Sequence, residues 1–122
     1  MFPMRAPRAK PSQVVYLHPL AARGERSRQT TLVKTSQLEV IQLIVPAGRD
    51  VPTHEVQGEL IIHCLEGLFA LSALGKTYEL KAGEMLHLLI DEPFSIRAIE
   101  DSSLLATIVA AKTGGSVELI GD

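Results

Sequence analysis

The chain has a single cysteine, Cys64, so it can close no internal disulfide, and a reducing cytoplasm is the expected compartment. Its longest apolar runs, such as Leu60 to Leu65, fall far short of the ~20 residues that a spanning helix needs, and no membrane partner is expected. The opening MFPMRAPRAKPSQ is basic but has no apolar stretch of the kind a secretory signal carries. A glycine-rich phosphate loop, a nucleophile elbow and a CxxC pair are all missing, which removes support for P-loop, kinase, Rossmann and thioredoxin chemistry. No internal repeat or low-complexity segment is present, and helical periodicity is almost wholly lacking.

What is there is 122 residues, one domain by length, and a chain of this size buries about two-thirds of its unfolded surface. Charge is unevenly spread. Up to Lys34 there are seven basic residues against one acid, Glu25, and the remainder carries five basic and thirteen acidic residues. The basic residues are not interleaved with aromatics and no helical reading motif surrounds them, so nucleic acid is not an expected partner. Residues 1–12, with three prolines and three cations, read as a flexible basic arm before a single domain over residues 13–122.

Short β-rich runs follow one another, separated by turn signals. Val14 to His18 is a strand candidate stopped by Pro19, and LAARGERS holds at most one helical turn before Gly24. Gln29 to Lys34 and Leu38 to Val45 make a hairpin, and the residues from Gly48 to Pro52 read as a loop. LIIHCL runs from Leu60 to Leu65, behind a Gly58 that suggests a bulge. Leu68 to Leu74 and Lys76 to Lys81 form another hairpin around Gly75; alternation in the second puts Tyr78 and Leu80 on one face. Glu84 to Ile90, Phe94 to Ile99, Ser103 to Ala111 and a short Val117 to Ile120 complete the set. Strands at this spacing mean an all-β sandwich or barrel.

The stretch GRDVPTHEVQGELIIHCLEG, from Gly48 to Gly67, resembles the first motif of small single-domain cupins: glycine, five residues, HxH, three or four residues, glutamate, six residues, glycine. Gly48, His54 and Gly67 match. Val56 stands at the second histidine position and Leu60 at the glutamate position, with Glu59 one place away. LKAGEMLHLLIDEPFSI is similar to the second motif, with Gly83 and Pro93 in place and Phe94 where a histidine ligand would fall. The resemblance implies a jelly-roll barrel (a double-stranded β-helix) whose metal site is degenerate; an unrelated small sandwich is the alternative.

Six residues are then candidates to line the barrel interior: His54, Val56, Leu60, Ile62, Cys64 and Phe94. One imidazole does not hold a metal, since catalytic sites take about three protein ligands, and Val56, Leu60 and Phe94 cannot ligate. The expected cofactor is therefore none. The alternative is a divalent transition metal on His54, with Glu59 swung inward or His87 as a further ligand. Parity makes Ile62 and Cys64 share the face of Leu60 and turns His63 outward, while His87 goes with Met85 and Leu89. Cys64 has apolar strand neighbours and reads as a core residue rather than a nucleophile. His18, before Pro19, reads as surface, and Asp91-Glu92 as a solvated turn.

Two functions follow. The first is a binding or regulatory module that takes a small apolar or amphipathic molecule, with polar groups such as His54, Tyr78 or Arg97 placed around it. The other is a metal-dependent oxygenase or isomerase built on His54 with unconventional ligands. LIIHCL and MLHLLI are apolar on both faces, so an outer face must be covered. A homodimer packed sheet against sheet would do that, or the N-terminal segment folded over its own barrel.

Overall fold

The computed structural model describes residues 11–18, 27–52 and 58–110. Nine strands account for most of them: β1 Arg28–Lys34, β2 Leu38–Val45, β3 Asp50–Pro52, β4 Gly58–Glu66, β5 Leu68–Ala73, β6 Lys76–Lys81, β7 Met85–Ile90, β8 Ser95–Ala98 and β9 Ser102–Ala110. They form two antiparallel sheets, one of five strands in the order β1-β2-β9-β4-β7 and one of four in the order β3-β8-β5-β6. Consecutive strands repeatedly cross from one sheet to the other. This is the connectivity of a jelly roll and not of a meander.

Period-two alternation fixes the inner faces. On β2, Ile41, Leu43 and Val45 point inward; on β4, Leu60, Ile62 and Cys64; on β9, Leu104, Ala106 and Ile108. From the facing sheet come Phe69, Leu71 and Ala73 of β5, Leu80 of β6, and Ile96 and Ala98 of β8. All belong to one continuous apolar core, with Tyr78 and Leu86 half-buried against it.

Turns are set by local chemistry. After β1, the Thr35 amide donates to the Leu38 carbonyl at 2.9 Å, while the Thr35 hydroxyl accepts the amides of Gln37 and Leu38, both at 3.0 Å. That Ser/Thr-type turn closes the hairpin without glycine. The β6–β7 turn is pinned back onto β4, where the Cys64 amide donates to the Glu84 carbonyl and the Gly83 amide to the Cys64 carbonyl, at 2.8 and 2.9 Å.

Three expectations are corrected. Asp50–Pro52 is not loop but β3, paired with Arg97, Ile96 and Ser95 of β8; as the edge of the four-stranded sheet it tolerates a proline that a central strand would not. The irregularity in β4 lies between Cys64 and Glu66 against β9, not at Gly58, which pairs in register with Ile90 and Ala110. Val14 to His18 is not a strand. The His18 amide and carbonyl are satisfied instead by the Gln42 side chain, each at 2.9 Å, and this removes the need for a ladder neighbour. The helical turn in LAARGERS, almost all of the arm and the strand at Val117 to Ile120 lie outside the described residues.

Candidate functional site

β3 ends and β4 begins at the same end of the barrel, where Pro52 pairs with Ser95 next to Phe94. His54 and Val56 lie in the connection between these strands, outside the described residues. The other four interior candidates are found together. Leu60, Ile62 and Cys64 are fully buried and Phe94 nearly so, all in the same apolar core. Leu60 sits between Leu88 of β7 and Ile108 of β9 in register, both also buried. At the two described positions where a ligand would be expected, the barrel therefore carries hydrocarbon packed against hydrocarbon.

Glu59 and His87 are also brought together, but on the outer face. Glu59 does not swing inward: it stays out of the core, and its carboxylate accepts a hydrogen bond from His87 Nε2 at 2.9 Å, with each side chain about half exposed (54% and 51%). β4 pairs Ile61 with His87, so Glu59 and His87 are diagonal neighbours on one face. Sequence spacing alone could not show this, because the partnership depends on which strand lies beside β4. Among the described residues no group of three or more His, Cys, Asp or Glu side chains is placed to hold a metal ion.

Arg97 is likewise outside the barrel. Its Nη1 donates to both carboxylate oxygens of Asp50, at 3.1 and 3.3 Å, across the β3–β8 pair on the solvated face, so it is no part of an interior site. Glu39 is a buried carboxylate that sequence reasoning passed over. The alternation of LEVIQLIV places it on the inward face of β2 with Ile41, in register with Lys34 and Ile108. That signal was available in the sequence.

Burial, and secondarily the negative charge of Glu84, push the Cys64 thiol above its ordinary value of 9.0. Its sulfur faces the carbonyls of Glu66 and Gly67, at 3.5 and 3.6 Å, contacts that suit a neutral thiol and repel a thiolate. The native thiol should therefore resist alkylation by iodoacetamide at pH 8 and react only after unfolding. The sign of the linkage also follows. A raised folded value means that the native state holds its proton where the unfolded chain has lost it. This contribution is full below about pH 9 and fades as pH rises further. Denaturation midpoints measured from pH 8 to 10.5 should fall, and Cys64→Ala should flatten that slope; equal slopes in both proteins would contradict it.

The arrangement defines a class first: a two-sheet antiparallel jelly roll with an apolar interior. More particularly, its fold is similar to that of small cupin domains. The chain superposes on a conserved protein of unknown function from Streptococcus pyogenes (TM-score 0.72, 17% identity, 88% of this chain and 98% of that one). It is similar to a cupin superfamily protein from Desulfitobacterium hafniense (0.69, 12%, 84% and 94%) and to an RmlC-like cupin from Desulfovibrio desulfuricans (0.64, 24%, 79% and 97%). The same fold forms part of longer chains. One is a salicylate 1,2-dioxygenase from Pseudoaminobacter salicylatoxidans (0.61, 20%, 67% and 26%), and another is an HTH_3 family transcriptional regulator from Vibrio cholerae (0.61, 22%, 70% and 51%). No protein-family model matches the sequence, and no curated protein is significantly similar to it. Among the described residues no helix is long and apolar enough to cross a membrane.

Proposed function

We propose that this barrel is a binding or regulatory module that takes a small apolar or amphipathic molecule and needs no metal. One observation carries the reading: Leu60 and Phe94, at positions where a carboxylate and an imidazole would ligate, are built into the apolar core. Side chains of this kind supply no electron pair to a cation. Tyr78, half-buried against the core, carries a hydroxyl of the kind that can orient a ligand beside apolar side chains. The use of the same fold within a transcriptional regulator fits a sensing role. The enzyme reading loses two of its proposed ligands, because Glu59 and His87 face outward and are bonded to each other.

Elemental mass spectrometry on tag-free protein, grown in metal-supplemented medium, tests this alongside His54→Ala. The expected result is no stoichiometric transition metal in either protein. Near-stoichiometric metal in the parent that is lost in the variant would overturn the proposal and direct attention to oxygenase or isomerase chemistry. In a thermal-shift screen with apolar acids and aromatic alcohols, a bound probe at 100 times its Kd stabilises by about 2.7 kcal/mol, a rise of roughly 10 °C for a domain of this size.

A further inference from the structure

β6 and β7 are the outermost strands of the four- and five-stranded sheets, and the turn at Ala82, Gly83 and Glu84 joins them. Among the described residues β6 pairs only with β5, and β7 only with β4. A seam between the two sheets follows. Its turn end is closed, because the Gly83 amide donates to the Cys64 carbonyl and the Glu84 carbonyl accepts the Cys64 amide. The opposite end, at Lys76, has no such tie.

The core-side face of β6 changes character along this seam. Register sets Leu80 opposite Phe69, Tyr78 opposite Leu71 and Lys76 opposite Ala73, and all three β5 partners belong to the core. One face of β6 therefore runs from aliphatic to phenol to ammonium. Exposure follows the same order: Leu80 is buried, Tyr78 half-buried and Lys76 exposed. On β7, Leu86 is half-buried against the core as Tyr78 is. Both polar groups are uncommitted. No described carboxylate pairs with the Lys76 ammonium, and no described residue bonds to the Tyr78 hydroxyl. The exposed Asp91 and Glu92 follow β7 without forming an ion pair with Lys76.

We infer that this seam takes a small monocarboxylate with a hydrocarbon body, its carboxylate held by Lys76 and Tyr78 and its body laid against Tyr78 and Leu86. The inference rests on the binding-module reading above and adds to it the charge of the ligand and the place where it sits. One ammonium balances one carboxylate. A dianionic phosphate monoester would keep a charge uncompensated beside apolar side chains. Lys76 and Tyr78 stand two residues apart on one strand, ~6.8 Å at ~3.4 Å per residue, and the flexible lysine stem lets ammonium and phenol converge on two oxygens of the same group. The charged bond is the stronger of the two.

Isothermal titration calorimetry on the full chain at pH 8, with octanoate, 1-octanol and octylammonium as probes, tests this. Octanoate should bind about 10-fold tighter than octanol, and octylammonium more weakly than either. Lys76→Met keeps an apolar stem and removes the charge, so octanoate should fall to the affinity of octanol while octanol is unchanged. Tyr78→Phe should weaken octanoate about fivefold. Added salt should weaken octanoate and spare octanol, since Lys76 is exposed. Equal affinities for octanoate and octanol, unmoved by Lys76→Met, would overturn the inference and leave the apolar site standing. A preference for octylammonium would also overturn it and assign recognition to Asp91 and Glu92. If none of the three probes binds, the binding-module reading itself fails, and the inference falls with it.

Discussion

Gly67→Ala is expected to remove on the order of 3 to 5 kcal/mol of stability, a large share of the roughly 5–15 kcal/mol that a domain of this size has. Gly67 joins β4 to β5 at φ +90°. A methyl group there would overlap the Asp101 carbonyl oxygen and approach the Ser102 Oγ and Cα to 2.6 and 2.8 Å. None of these atoms can yield cheaply. Ser102 is fully buried, and its hydroxyl accepts the Leu68 amide at 3.1 Å while donating to the Glu100 carbonyl at 2.7 Å or the Leu68 carbonyl at 3.0 Å. Asp101 is held in turn by the Ala47 amide, which donates to its carboxylate at 2.8 Å. Relief of the clash would have to break a network that closes this end of the barrel.

Gly48, Gly75 and Gly83 are the controls. Each has positive φ, but an added methyl meets nothing within 4 Å. Alanine there should cost only the left-handed backbone term of about 1–2 kcal/mol, partly offset by a less flexible unfolded chain. Urea denaturation of the four variants separates the two effects. If Gly67→Ala falls within 1 kcal/mol of Gly83→Ala, the β4–β5 corner shifts more easily than its hydrogen bonds imply. The expected larger loss at Gly67 would make the glycine that closes the cupin-like motif a packing requirement, independent of any ligand.

Much of the fold was legible because the strands are short and their turns chemically explicit. Leu38–Val45 and Lys76–Lys81 form with the expected bounds, and the parity that sends Leu60, Ile62 and Cys64 inward and His63 outward holds. Failures occurred where a neighbour decides the structure. β3 exists because β8 lies beside it, although its own residues include a proline. His18 is tied by a glutamine 24 positions away. Glu59 and His87 fit a metal reading only without the β4–β7 pairing, which sets them side by side on the outer face of those two strands. Local sequence sets which residues share a face. It does not set which two faces meet.

The same distinction predicts the fate of a restored ligand. Leu60→Glu returns a carboxylate to the place where similar cupins carry one, and it is expected to destabilise the protein by at least about 4 kcal/mol at pH 8, enough to unfold much of it. Leu60 is fully buried between Leu88 and Ile108, and an ionised carboxyl there would have hydrocarbon on both neighbouring strands. Leu60→Met, which keeps volume and polarity, should cost less than about 1.5 kcal/mol. The pH dependence has a definite sign. Burial raises the folded pKa of the introduced carboxyl above its unfolded value of about 4.3, so the native state binds the extra proton and stability is lost as pH rises through that window. The gap to wild type should be smaller at pH 4.5 than at pH 8. Saturating zinc or manganese should not close it, because Phe94 supplies no second donor and a lone carboxylate holds such ions weakly. Recovery of several degrees in melting temperature on adding either metal, abolished by His54→Ala, would mean that the barrel still holds ligand geometry beneath its apolar lining. That outcome would place the metal-dependent reading ahead of the binding module.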